Sequence, residues 1–128
     1  MTYYFSKTLS LPFDEAVAAT RAALSEEGFG VITEIDVRQT MKAKLGEDFR
    51  PYLILGACNP RLAYEALRLE DKVGAMLPCN VVVQELGEGR VEVAAIDPVA
   101  SMQAIANSDL TDKAAVVADK LRAVLEHL

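Results

Sequence analysis

The chain has one histidine, two cysteines, no tryptophan and more acidic than basic side chains. Each shortage excludes a class of function. The lone histidine, His127, has no serine or cysteine partner in sequence, so a hydrolase triad is not expected. The two cysteines, Cys58 and Cys79, do not form a Cys-x-x-Cys motif. The glycines spell neither a P-loop nor a dinucleotide fingerprint. No apolar run approaches the roughly 20 residues that span a bilayer. The first seven residues lack a basic stretch followed by an apolar one, so a cytoplasmic location with reduced thiols is expected. A net charge of -6 repels phosphate backbones. Arg38, Lys42, Lys44 and Arg50 are interrupted by Glu47 and Asp48 and read as a solvated face. Neither nucleic acid nor membrane is an expected partner.

What remains is ordinary in amount and ordered in pattern. Of 128 residues 52% are hydrophobic and 25% charged, which suits a globular core rather than a disordered chain. No repeat, low-complexity segment or linker divides residues 1–128, so one domain is expected. Residues 3–9 alternate apolar and polar side chains, as in a half-buried strand. Pro12, Asp14 and Glu15 open a helix with Phe13, Ala16, Val17, Thr20 and Leu24 on one face, and Gly28 closes it. Residues 31–35 are a second strand, and Asp36 caps a short helix ending at Gly46. The apolar run 52–58, bounded by prolines, is a central strand. Asn59 and Pro60 then start a helix with Leu62, Ala63, Ala66, Leu67 and Leu69 on its packing face. Residues 73–78 read as a loop or single turn.

Two strands, 80–86 and 90–96, form a hairpin around Gly87-Glu88-Gly89. A three-residue loop sets Leu86 opposite Arg90, Val83 opposite Val93 and Val81 opposite Ala95, with Gln84 and Glu92 together on the other face. A two-residue loop would oppose Glu85 to Glu92 and Gln84 to Val93, which is worse on both charge and burial. Asp97-Pro98 begins another helix through Met102 and Ile105, Asn107-Ser108-Asp109 break the chain, and a long amphipathic helix follows. Met41, Met76 and Met102 read as core fillers. The order is an α+β domain: one mixed, mostly antiparallel sheet of about five strands with helices packed on it.

This register carries Cys79 to a position opposite Asp97, and an antiparallel neighbour brings Cys58 to the same end of the sheet. The candidate site is therefore Cys58, Asn59, Cys79, Asn80 and Asp97, near two helix N-termini. Capping explains Asn59 and Asp97 on their own, and burial is the commonest fate of a free cysteine. Three further chemistries fit the residues: a small anion at the helix ends, a thiolate on Cys79 or Cys58, or a metal held by two thiols and Asp97. The last lacks a histidine to complete a usual zinc set, so no metal site is expected.

Six segments carry a resemblance to a known family. They are Gly28-Phe29-Gly30-Val31 through Glu34-Ile35-Asp36-Val37, Phe49-Arg50-Pro51-Tyr52, Leu55-Gly56-Ala57-Cys58-Asn59-Pro60, Leu77-Pro78-Cys79-Asn80-Val81-Val82-Val83, and Ile96-Asp97-Pro98. In these the chain resembles the family known as domain of unknown function 302. The resemblance implies an α+β fold of the TATA-binding-protein-like β-α-β(4)-α kind, and it brings no activity, cofactor or catalytic residue with it. The functional expectation is a homodimeric module that holds a small molecule or anion at the cysteine-bearing sheet edge. A thiol-dependent redox protein or enzyme and a purely structural domain are the alternatives.

Overall fold

The computed structural model describes residues 2–128. Five strands, β1 (Tyr4–Leu9), β2 (Gly30–Asp36), β3 (Tyr52–Cys58), β4 (Cys79–Gly87) and β5 (Arg90–Ile96), form one sheet in the order β1-β5-β4-β3-β2. Every pairing is antiparallel. The helices are α1 (Phe13–Glu26), α2 (Val37–Leu45), α3 (Pro60–Leu69), the short α4 (Pro98–Ser101) and α5 (Ser108–Glu126). A 3-10 helix, Asp71–Met76, follows α3. The α+β class and the element order match the sequence reading.

Alternation along the strands decides which face is the core. Val81 and Val83 of β4 pair with Ala95 and Val93 of β5, and all four are fully buried. They meet Leu24 of α1 and Leu121, Val124 and Leu125 of α5 in the main hydrophobic cluster. Among the described residues no helix closes over the other sheet face, whose central positions are half-buried or exposed. Its middle row crosses the strands as Ser6, Ala94, Val82, Ile54 and Ile35.

Asn59 and Asp97 cap the helices they precede, and a proline fills the first turn in each case. Helix α4 ends at Ser101 instead of running through Met102 and Ile105, and two turns also differ from the sequence reading. The hairpin turn is the two-residue Glu88-Gly89, not three residues, with Gly87 rather than Leu86 opposite Arg90. Leu86 is the extra residue of a bulge, which lets a tight turn with Gly89 at φ +73 coexist with the Val83–Val93 register. Gln84 and Glu92 do share the outer face, joined by a 3.0 Å hydrogen bond from Gln84 Nε2 to Glu92 Oε1. Second, Asn107 begins structure as well as ending it. Its Oδ1 accepts from the N–H groups of Asp109 and Leu110, so α5 starts at Ser108. Of the methionines, Met102 is buried, whereas Met76 is 38% exposed and fills no core.

A second, smaller cluster lies beyond the sheet end: Ala66 of α3, Val73 of the 3-10 helix, Met102, and Leu110 and Ala114 of α5. Helix α5 thus belongs to both clusters, its first turns to the small one and its later turns to the large one. Gly56 fixes how the chain enters this region. A Cβ there would collide with the Thr33 hydroxyl and come within 2.7 Å of Pro78 Cγ. Gly56→Ala is therefore expected to cost about 1–3 kcal/mol in urea unfolding, as overpacking does. A cost below ~0.5 kcal/mol would show that Thr33 and Pro78 move aside freely.

Candidate functional site

The amphipathic α3 defines the site. Leu62, Ala63, Ala66 and Leu67 lie on one stripe of the helix, the pattern of a face that packs against a core. Only Ala66 is buried. The stripe instead lines a cavity of about 320 Å³ at the seam between the two hydrophobic clusters. Phe29, Ala57 and Cys79 close it on the sheet side, and Met102, Leu110 and Ala114 close it on the side of α5. Ile32 (62% exposed) and Leu67 (44% exposed) stand in the wall as well, so the cavity reaches solvent there. The volume is at the lower end of the range for small-molecule sites, about 300–1,000 Å³.

Cys58, Asn59 and Cys79 line this cavity. The pairing of β3 with β4 sets Ala57 against Cys79, which brings Cys58 beside them as the strand ends. Cys79 is buried and Cys58 half-buried, and both are free thiols. Burial pushes the Cys79 thiol up to about 11, and the neighbouring Cys58 adds to the shift. A thiolate at Cys79 is accordingly disfavoured near neutral pH.

Asn59 is spent on structure. Its Oδ1 accepts from the Leu62 N–H at 3.2 Å, and its Nδ2 lies 3.2 Å from where a Cβ on Gly28 would stand. Gly28, at φ +84, supplies both the left-handed turn after α1 and the room for that carboxamide.

Asn80 and Asp97 are not part of the cavity wall. Strand alternation sends Asn80 to the opposite face from Cys79 and Val81, where it is exposed. Asp97 extends the Val81–Ala95 register to the level of Cys79, but its carboxylate accepts from the Val99 N–H at 3.0 Å. Both helix N-termini thus already have acceptors from their own caps. Among the described residues, no three side chains of histidine, cysteine, aspartate or glutamate come together as a metal site.

Sequence reasoning passed over Lys113 and treated the α3 stripe and Met102 as packing. Lys113 is the one charged side chain in the cavity wall, and its Nζ lies 2.7 Å from Glu65 Oε2. That hydrogen bond holds the Glu65 carboxyl below the usual carboxylate range, with the charges of Lys113 and Arg61 adding to it. The periodicity of α3 does not distinguish a packed face from one that lines a cavity.

Comparison with known proteins agrees with this architecture. A crystal structure of an uncharacterised conserved protein, DUF302, from Bacillus stearothermophilus superposes with a TM-score of 0.91 at 28% identity, over 99% of this chain and 98% of that one. A search of curated proteins gave no match. The family model described as Domain of unknown function DUF302 matches residues 5–128, and the chain belongs to that family.

Proposed function

We propose that this protein is a binding module for a small, largely apolar molecule held between α3, α5 and the ends of β3 and β4. The observation that carries the reading is the α3 stripe, which leaves Leu62, Ala63 and Leu67 incompletely covered around a preformed cavity. Leaving such side chains open forgoes about 25 cal/mol for each Å² that burial would remove from water. A ligand in the cavity recovers that term without rearranging the fold.

Anion capture at the helix N-termini has less support, because Asn59 and Asp97 already accept from the N–H groups of Leu62 and Val99 there. The thiol-dependent alternative is weakened at Cys79 by burial. Free thiols suit a reducing, cytoplasmic setting. A second copy of the chain is the partner in this reading. It would cover the outer sheet face, where Ile35, Ile54, Val82 and Ala94 lie in one cross-strand row.

The test uses a neutral apolar fluorophore, N-phenyl-1-naphthylamine. Its emission should rise and saturate at one molecule per chain, and Ala63→Phe should abolish the rise by filling the cavity. No saturable rise in the wild type, or an equal rise in folded Ala63→Phe, would contradict the proposal and favour a domain without a small-molecule site.

A further inference from the structure

The cavity wall is mostly apolar and carries one charged side chain, which is basic. Lys113 projects from α5 into the wall opposite α3, and no other lining residue is charged. Lys113 is not the exclusive counter-ion of Glu65, because Arg61 lies one helical turn before Glu65 on α3 and also acts on that carboxylate. Arg61, Glu65 and Lys113 therefore form a three-member cluster with one cation in excess, on a protein whose net charge is -6. Lys113 can turn toward a negatively charged group in the cavity while the charge of Arg61 still acts on Glu65.

From this geometry we infer that the ligand is an amphipathic carboxylate, its apolar tail in the cavity against the α3 stripe and its carboxylate at Lys113 Nζ. The inference rests on the binding role proposed above and adds the head group to it. Size follows from volume. Taking the ~30 Å³ share of a water molecule as a yardstick for one non-hydrogen atom, the enclosed space of about 320 Å³ takes roughly ten such atoms, and a larger molecule such as the fluorophore extends through the opening at Ile32 and Leu67. A straight-chain carboxylate of the length of octanoate meets that limit. The lysine would then hold the carboxylate through a charge-assisted hydrogen bond, the stronger class of such contacts. An alcohol of equal length loses that bond, and an amine faces a like charge.

Displacement of N-phenyl-1-naphthylamine by octanoate, 1-octanol and octylamine tests the head group directly. The wild type is expected to bind octanoate about tenfold or more tighter than octanol, as one charge-assisted bond allows, and octylamine most weakly. Lys113→Met should bring octanoate to the level of octanol while leaving octanol unchanged, and Lys113→Arg should keep most of the preference. Equal displacement by octanoate and octanol in the wild type, or an octanoate preference that survives Lys113→Met, overturns the carboxylate assignment and leaves the cavity as an apolar site. Failure of the fluorophore itself to bind overturns the binding role and this inference together.

Discussion

Leu121→Ala should destabilise the protein by about 3 kcal/mol, within the 2–5 kcal/mol typical of such core truncations, and lower the melting temperature by roughly 10 °C. Leu121 is fully buried under the sheet, in the same cluster as Leu24, Leu55, Val81, Val83 and Val93. Truncation removes the transfer free energy of its side chain and leaves a cavity that β-strands on one side and α1 on the other cannot close. Val116→Ala on the same helix is the control. Val116 is 44% exposed, so its loss should change stability by less than ~0.5 kcal/mol. Urea unfolding of the two variants separates burial from helix propensity, since both end in alanine. Equal effects at the two positions would mean that α5 does not lie on the sheet as described.

Stability should also fall more steeply between pH 9 and 11 in the wild type than in a Cys79→Ala variant. The ordinary value of a thiol is near 9, and burial together with Cys58 pushes Cys79 up to about 11 in the folded protein. A group whose folded value is raised contributes its stabilisation below the unfolded value and loses it as the pH climbs to the folded one. The unfolded chain ionises at Cys79 from about pH 9, while the folded chain keeps the thiol neutral until about pH 11. The accompanying loss has an upper bound of about 2–3 kcal/mol, from 1.36 kcal/mol per unit. Making the comparison on a Cys58→Ser background removes the second thiol from the difference. All other groups are common to the two proteins and cancel in the difference. Parallel stability curves from pH 8.5 to 11 would show that Cys79 is open to water, and the thiol chemistry set aside above would regain its standing.

How far the sequence reached is clearest at three places. The proline-led caps were legible because Asn59-Pro60 and Asp97-Pro98 are local devices, fixed by a side-chain acceptor and a preset φ. The hairpin register was legible from charge and burial on its two faces, yet the bulge at Leu86 was not. A bulge leaves the pattern of apolar pairs intact and changes only the turn. Asn80 was grouped with Cys79 by adjacency, although period-two alternation from Val81 and Val83 already assigns the two neighbours to opposite faces.

The cavity itself was beyond reach. A stripe such as Leu62, Ala63, Ala66 and Leu67 has the same period whether it meets a packed core or an open space. Only the position of α5, which leaves the sheet to join the smaller cluster at Leu110 and Ala114, decides between them. Lys113 entered the site for the same reason. Its place in the wall depends on the crossing of two helices far apart in sequence, and no local pattern encodes it.

The central claim is that the space beside α3 is where a ligand sits. Methyl-resolved NMR during titration with N-phenyl-1-naphthylamine tests this most directly. Resonances of Leu62, Ala63, Ala66, Met102 and Ala114 should shift together and saturate, while those of Val91 and Leu24, away from the cavity wall, stay still. Shifts confined to Ile54, Val82 and Ala94 on the outer sheet face, or no saturable shift at all, would contradict it.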